Sequence, residues 1–309
     1  MEAMSSHVES KAEYRSMSSA ETALSSLLRA LPIKHGRHRL LDRIKPALWP
    51  HTTAQVKMPY QGRELLMDAD DLVGWHFLIL GSFDPEVSEV LCAVGADSAR
   101  QVIWDIGANK GACAYAMSTA LPRCQVVLIE PQATLTEMLE HNMRVLAPGR
   151  FELHAVGVGV QEETLELAIP DDNKGRASLV HDFGVDHGRR VMVQIRTAQQ
   201  IAGASAFGWP TLVKIDVEGF EPQVFESLAP ALAARACEAI VFENHPDQME
   251  AFGRIHAAVQ CHGYQVFAIR KTPFATKLRA CDAIVAAATD YVVLRDDLIE
   301  RAGVRRLMA

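Results

Sequence analysis

The sequence lacks the features of membrane, secreted and zinc-finger proteins. No apolar stretch approaches the roughly 18 residues that a membrane-spanning helix needs. The six cysteines form no C-x-x-C pair and have no regularly spaced histidines, so neither a disulfide framework nor a zinc site is indicated. Residues 1–16 contain glutamates and no apolar segment, which argues against a secretory signal. A cytoplasmic protein with no membrane partner is expected.

An excess of basic residues is also missing. Lysine and arginine number 31 against 38 aspartates and glutamates, so the formal net charge is −7. This balance opposes the phosphate attraction on which nucleic-acid binding rests. Nucleic acid is therefore not expected as a partner.

The chain divides into three predicted regions. Residues 1–18 are polar and rich in serine, which predicts a disordered leader. Residues 19–100 predict an N-terminal cap of helices and a hairpin: a helix from Ser19 that ends at Pro32, a hairpin over 56–67, and a helix over 85–94. Residues 101–309 form the predicted main domain.

Apolar runs alternate with helical patterns throughout this main domain. We expect seven strands, at 102–106, 125–129, 151–156, 211–215, 239–242, 264–269 and 291–294. Helices are expected between them, at 110–121, 134–146, 222–234 and 247–262. This alternation predicts an α/β fold with a doubly wound, mostly parallel seven-stranded sheet and helices on both faces.

A glycine-bearing turn follows the first strand of this domain. Gly107-Ala108-Asn109-Lys110-Gly111 opens a helix at the sheet edge where doubly wound folds bind ligands. It matches neither G-x-G-x-x-G nor G-x-x-x-x-G-K-[ST], the two patterns that bind pyrophosphate. A nucleoside ligand without phosphates fits better, and S-adenosylmethionine is one. An NAD-dependent dehydrogenase, the competing enzyme class, should show the first of the two patterns.

Two carboxylates accompany this turn at strand ends. Asp105 could face the positive charges of the methionine moiety. Glu130 follows the next strand, near the offset at which a carboxylate meets ribose hydroxyls in dinucleotide folds. Val156, at the end of the third predicted strand, is placed with the same cofactor site.

Two later strand ends carry candidate catalytic groups. Strand alternation points Lys214 and Asp216 to the same side, and Glu218 and Glu221 follow closely. Because surplus negative charge at a sheet edge is costly unless it is used, these carboxylates are candidates for function.

The neighbouring strand end contributes Glu243, Asn244 and His245. His245 titrates near neutrality and could act as a general base on a hydroxyl. Asp216 with Glu243 and Asn244 would also form an all-oxygen set that suits Mg²⁺, a minority hypothesis.

Several of these segments together resemble the FkbM family of methyltransferases, many of which transfer methyl groups to oxygen in natural products or glycans. The resembling segments, in the expected order, are 83–86, 105–111, 130–131, 173–179, 214–219 and 243–245. The Lys-Ile-Asp-Val-Glu-Gly run at 214–219 is the distinctive one. Two departures are Lys110, where the family often has an apolar residue, and the absence of an aromatic residue soon after Gly111.

The resemblance implies a Rossmann-like class I methyltransferase fold and S-adenosylmethionine as the cofactor. Asp105, Gly107, Asn109, Gly111 and Glu130 would then bind the cofactor, with Ala108 in the same turn. Asp216 and Glu218 would lie near the transferred methyl group. The expected acceptor is a hydroxyl on a small molecule such as a sugar or natural product.

Three questions remain open from sequence. The group that accepts or orients the substrate proton could be Asp216, Glu218 or His245. The chain could also be a non-catalytic protein that keeps the cofactor pocket as a scaffold. The loop at 173–190, with His181 and His187, is expected to be mobile and could close over a substrate.

Overall fold

A computed structural model describes residues 14–48, 55–171, 174–180 and 188–308. The sequence-predicted pair His181 and His187, and Asn173 of the resembling segments, lie outside these residues. So do residues 1–13 of the predicted leader. Arg15 and Ser16, which the leader prediction also covers, form a short strand against the hairpin instead. Within the described ranges, no helix is long and apolar enough to cross a membrane.

The described residues of the N-terminal region form a small sheet and four helices. Its strands are β1 (Arg15–Ser16), β2 (Gln55–Tyr60) and β3 (Arg63–Asp68). Its helices are α1 (Ser19–Ala30), α2 (Arg37–Leu48), α3 (Leu72–Leu80) and α4 (Pro85–Gly95). Gln61 and Gly62, both at positive φ, form the turn between β2 and β3. Ser18 and Glu21 begin α1 with a reciprocal capping box.

The main domain is built on one large sheet. Its strands are β4 (Val102–Ile106), β5 (Gln125–Ile129), β6 (Phe151–His154), β10 (Leu212–Ile215), β11 (Ala239–Glu243), β12 (Tyr264–Lys271), β13 (Thr276–Ala280) and β14 (Asp290–Arg295). The strand order is β13-β12-β14-β11-β10-β4-β5-β6. The strands from β11 to β6 run parallel, and β14, β12 and β13 are antiparallel to their neighbours.

This topology confirms the doubly wound α/β class, with one correction. The sheet has eight described strands, not the seven that the sequence predicted, because β12 continues through a tight turn into β13. β13 was missed because its sequence, TKLRA, is short and polar, as expected of an edge strand.

A second, smaller sheet covers the carboxyl ends of β5 and β6. It consists of β7 (Gly157–Val158), β8 (Glu163–Pro170) and β9 (Gly188–Arg196), in the order β7-β9-β8. A 3₁₀ turn at Lys174–Arg176 follows β8, and Ser178 bridges back to Ala168. The segment 174–180 therefore lies close to the edge of the main sheet where ligands bind.

Helices pack on both faces of the main sheet. They are α5 (Ala112–Ala120), α6 (Ala133–Leu146), α7 (Ala198–Ala204), α8 (Glu221–Ser227), α9 (Ala229–Ala233), α10 (Met249–Gln260) and α11 (Ala302–Arg305). The helix predicted over 222–234 is two short helices, α8 and α9, with a break at Leu228. Along β4, Ile103 packs into one core and Val102 and Trp104 into the other. Because helices cover both faces of the sheet, β4 is buried along its whole length.

Candidate active site

The turn after β4 is forced into its shape by close backbone contacts. Gly107 has φ 72°, and a Cβ at this position would lie 1.9 Å from the carbonyl oxygen of Asp216. Asn109 and Gly111 also have positive φ, and α5 begins directly after Gly111. Glycine is thus required at 107 by the approach of the neighbouring strand end, as the sequence pattern suggested.

The side chains of Glu130 and Lys214 hold this turn through hydrogen bonds with its backbone. The Glu130 carboxylate accepts hydrogen bonds from the backbone N–H groups of Asn109 (2.7 Å) and Gln132 (2.9 Å). The ammonium of Lys214 donates to the Gly107 carbonyl oxygen at 2.5 Å. Burial raises the pKa of Glu130, and the two backbone donors oppose that rise.

Asp105 does not face open space, contrary to expectation. Its side chain is fully buried, and one carboxylate oxygen accepts a hydrogen bond from Ala114 N in the first turn of α5 at 3.0 Å. The other lies 3.5 Å from the Lys214 ammonium. Burial raises the pKa of Asp105, and Lys214 counteracts it. Asp105 therefore stabilises the turn and the start of α5 from within the core rather than lining a pocket.

A cleft of about 570 Å³ opens beside this turn, between the ends of β4 to β6 and the small sheet. We call it the cofactor cleft. Of the residues predicted to bind the cofactor, it is lined by Gly107, Asn109, Glu130, Val156 and Asp216. The side-chain oxygen of Asn109 is buried and accepts no hydrogen bond within the described residues. A polar ligand group in this cleft would satisfy it.

A second pocket, of about 880 Å³, adjoins the cofactor cleft. We call it the acceptor pocket; Asn109, Gly175 and Asp216 line both cavities. Ala108, predicted with the cofactor residues, lines the acceptor pocket instead. Gly111 lines neither cavity in the part of the chain described, and the space beside it is taken by the Tyr115 ring.

Five carboxylates line the acceptor pocket: Asp84, Asp216, Glu218, Glu243 and Asp290. Its apolar wall comes from the N-terminal region, through Leu72, Val73, Phe83 and Val87. The pocket therefore combines side chains from the predicted N-terminal cap and from the predicted main domain.

The clustering of these carboxylates perturbs their ionisation. Burial, followed by the charge of Asp216, raises the pKa of Glu218 to about 8 and that of Glu243 to about 10. Desolvation by the crowded surroundings, followed by the charge of Asp290, raises the pKa of Asp84, although this residue is partly exposed to solvent. Several of these groups thus stay protonated at neutral pH and can donate as well as accept hydrogen bonds.

Asp216 and Asp290 differ from the other three carboxylates because each has a lysine partner, Lys214 for Asp216 and Lys271 for Asp290. The Oδ2 of Asp216 lies 3.3 Å from the Lys214 ammonium, as predicted from strand alternation. Burial alone would lower the pKa of the Lys214 ammonium, but the charges of Asp216 and Asp105 together raise it. Asp216 is also about one-third exposed at the junction of the two cavities, where a substrate proton could reach it.

The remaining predicted groups lie further out. His245 lies at the rim, where its Nε2 is 3.4 Å from Glu243 Oε1, and it lines an outer groove together with Glu218. Glu221 is buried and accepts hydrogen bonds from Val217 N and Gly219 N, so it shapes the loop rather than the pocket. Glu218 itself is held at φ 52° in this loop.

The predicted Mg²⁺ set does not fit the arrangement. The Asn244 side chain is buried, and its amide donates to the carbonyl oxygens of His245 and Gln248 at 3.0 and 3.4 Å. It is therefore used to hold the loop after β11. Ligand atoms of Glu218, Glu243 and His245 do lie within 4.8 Å of one another, but this is a different set from the one predicted.

Sequence reasoning missed two of the carboxylates in the acceptor pocket, Asp84 and Asp290. Asp84 belongs to a segment that resembled the family, but its left-handed backbone (φ 41°) cannot be recognised from sequence. Asp290 lies directly opposite Glu243 in the antiparallel pair of β14 and β11. Because that pairing joins distant parts of the chain, no local pattern could reveal it.

Residues 105–266 match the family model described as "Methyltransferase FkbM domain". A search of curated proteins finds no match. Among solved structures, TYW2 from M. jannaschii in complex with AdoMet is 12% identical, with 80% of this chain and 86% of that chain covered and a TM-score of 0.39. The SAM-dependent O-methyltransferase from Thermotoga maritima is 12% identical, with coverages of 71% and 69% and a TM-score of 0.39. A precorrin-6y C5,15-methyltransferase from Geobacter metallireducens is 14% identical, with coverages of 68% and 87% and a TM-score of 0.37.

Proposed function

The chain belongs to the FkbM family of methyltransferases, and on that premise we propose that it transfers a methyl group from S-adenosylmethionine to a hydroxyl group of a small molecule. The observation that carries this proposal is the carboxylate-lined acceptor pocket, which meets the cofactor cleft at Asn109 and Asp216. A methyl donor and an acceptor bound in the two cavities would meet at that junction.

The cofactor cleft suits S-adenosylmethionine. Glu130 would accept hydrogen bonds from the ribose hydroxyls, and the unsatisfied oxygen of Asn109 would accept one from a cofactor donor. Val156 supplies apolar surface in the same cleft. When bound, the cofactor supplies a methyl group on a sulfonium, which is already an excellent leaving group.

The protein's task is then to align the acceptor oxygen and remove its proton. We assign the proton-accepting role to Asp216, because it lies at the junction and is the pocket carboxylate paired with Lys214. Glu218, Glu243 and Asp84 would orient the acceptor by hydrogen bonds with its hydroxyl groups. His245, at the rim, is the second candidate for proton removal.

The dimensions and polarity of the acceptor pocket support a small acceptor rich in hydroxyl groups, such as a sugar or a polyhydroxylated natural product. A volume of about 880 Å³ is typical of a small-molecule site. Carboxyl groups form hydrogen bonds with hydroxyl groups in either protonation state, so several of them around one pocket suit a polyhydroxylated acceptor.

The direct test is methyl transfer to a library of hydroxylated small molecules, with S-adenosylmethionine labelled with ¹³C at the methyl group. We expect release of S-adenosylhomocysteine and a product whose methyl carbon has the chemical shift of an ether. A methyl group found on nitrogen or carbon would overturn the proposed chemistry.

Asp216→Asn should lower kcat by at least about 100-fold, the usual contribution of a general base. The matched control is Asp282→Asn, because the Asp282 side chain is 94% exposed in the loop between β13 and β14. Unchanged kcat in Asp216→Asn, with loss in His245→Gln, would move the proton-accepting role to His245.

A further inference from the structure

A buried lysine connects the cofactor turn to the N-terminal region. The Lys110 side chain is fully buried, although it lies in a turn at the mouth of two cavities. Its ammonium donates to the Asp68 carbonyl oxygen at 2.7 Å and to Asp70 Oδ1 at 2.6 Å, and it lies 3.0 Å from Asp71 Oδ1. The three partners lie at the end of β3 and in the short loop that leads from it to α3.

These three oxygens match the three donors of the ammonium group. A buried charge is costly unless it is paired and hydrogen-bonded, and here the pairing is complete. The arrangement therefore defines one position of the turn relative to the loop at 68–71. Removing the charge would release that constraint.

The loop at 68–71 packs closely against α3, whose first residues line the acceptor pocket. Asp71 Oδ1 also accepts a hydrogen bond from Gly74 N at 2.9 Å, which begins α3. A Cβ at Gly74 would lie 1.9 Å from the Asp68 carbonyl oxygen, so the helix and the loop are in close contact. The first residues of α3, Leu72 and Val73, line the acceptor pocket.

We propose that Lys110 is a positioning residue that holds the cofactor turn for the amino-acid end of the cofactor and fixes it relative to the wall of the acceptor pocket. This inference rests on the proposed cofactor site. If Glu130 binds the ribose, the part of the cofactor cleft between Asn109 and Asp216 is left for the amino-acid end, which then lies beside the residue that precedes Lys110. The N-terminal region, which lies outside the family match at 105–266, thereby becomes part of cofactor binding.

The test compares two ligands by calorimetry: S-adenosylhomocysteine, which carries the amino-acid end, and methylthioadenosine, which lacks it. In Lys110→Met, the Kd for S-adenosylhomocysteine should rise about tenfold, and that for methylthioadenosine should stay within about twofold. A merely structural role would weaken both ligands alike. Equal affinity of Lys110→Met and the wild type for S-adenosylhomocysteine, or equal losses for both ligands, would overturn the proposal.

Asp70→Asn is the second variant, because it removes the charge of a partner whose side chain is 15% exposed and leaves the lysine in place. It should weaken S-adenosylhomocysteine in the same direction, by about threefold. Lys277→Met, which removes a lysine whose ammonium donates to the carbonyl oxygens of Arg306 and Met308, is the matched control and should leave both affinities unchanged. A wild type that binds neither ligand would instead overturn the cofactor site, and this proposal with it.

Discussion

The Lys214 ammonium lies 3.3 Å from Asp216 Oδ2, at the junction of the cofactor cleft and the acceptor pocket. The same ammonium lies 3.5 Å from Asp105 and donates to the carbonyl oxygen of Gly107. One buried cation thus joins the strand end that carries the proposed base to the turn that shapes the cofactor cleft. The Lys-Ile-Asp run, the distinctive segment in sequence, has a structural reason in this contact.

Lys214→Met should therefore lower the free energy of unfolding by about 3–5 kcal/mol, because it leaves the buried Asp105 without its cation. Urea denaturation of the protein without ligand measures this loss. Lys34→Met is the control: its partner Glu89 is partly exposed, and the loss there should stay below about 1 kcal/mol. Similar small losses in both variants would mean that Asp105 does not depend on Lys214.

Glu130→Gln should weaken S-adenosylhomocysteine about tenfold, because a charged acceptor in the cofactor cleft is replaced by a neutral amide. Calorimetry measures the Kd, and unfolding midpoints show whether the turn at Asn109 is kept. Glu137→Gln, an exposed position on α6, should leave the affinity unchanged. Equal affinities in the two variants would show that Glu130 serves only to hold the turn.

Most of the parallel part of the sheet could be predicted from the sequence because β4, β5, β10 and β11 are short, mainly apolar runs; β6, which reads FELH, is the exception in composition. The helix α3 could not be predicted, since its sequence LVGWHFLIL is buried almost all round and carries no helical periodicity. The hairpin of β8 and β9 was also missed, although Leu165, Leu167 and Ile169 alternate along it. Buried helices resemble strands in sequence, and tertiary packing decides between them.

Site residues that follow the ends of strands could be predicted from the sequence. Those that are brought together by contacts between distant segments could not. Glu130, Asp216 and Glu243 all end parallel strands, so their convergence follows from the fold class. The sequence shows Lys110 only as a departure from the family and does not predict its ion pairs, because its three partners lie about 40 residues earlier in the chain.

The raised pKa of Glu243 predicts a pH dependence of stability. The group has a pKa of about 10 in the folded protein against an ordinary value of 4.5, because it is buried beside Asp216, Glu218, Asp290 and Asp84. Above pH 4.5 the unfolded state loses this proton while the folded state keeps it. The contribution of Glu243 to the free energy of unfolding is therefore full below pH 4.5 and declines as the pH rises toward 10.

Glu243→Gln should remove that decline, so that the variant gains more stability over the wild type at pH 8 than at pH 5. Urea midpoints at the two pH values provide the comparison. Glu226→Gln, at a side chain that is 60% exposed, should show no such difference. A gain for Glu243→Gln that is the same at both pH values would mean that the carboxyl is ionised throughout this range.

Asp84 combines an unfavourable backbone conformation with a place in the acceptor pocket. It precedes α4 at φ 41° and ψ 60°, and its side chain makes no hydrogen bond to the helix that it begins. Left-handed non-glycine residues cost of order 1–3 kcal/mol and are common at functional sites. The carboxylate is instead turned toward the acceptor pocket.

Asp84→Gly should therefore raise the free energy of unfolding by about 0.5–1 kcal/mol, because relief of the left-handed conformation outweighs the added freedom of the unfolded chain. It should also lower kcat/KM for the acceptor at least about tenfold, through loss of a carboxylate that contacts it. Gln61→Gly is the matched control, since Gln61 has φ 49° in an exposed hairpin turn: it should gain similar stability with unchanged transfer. Lower stability in Asp84→Gly would instead show that the side chain holds α4, and transfer equal to that of Gln61→Gly would remove Asp84 from the acceptor site.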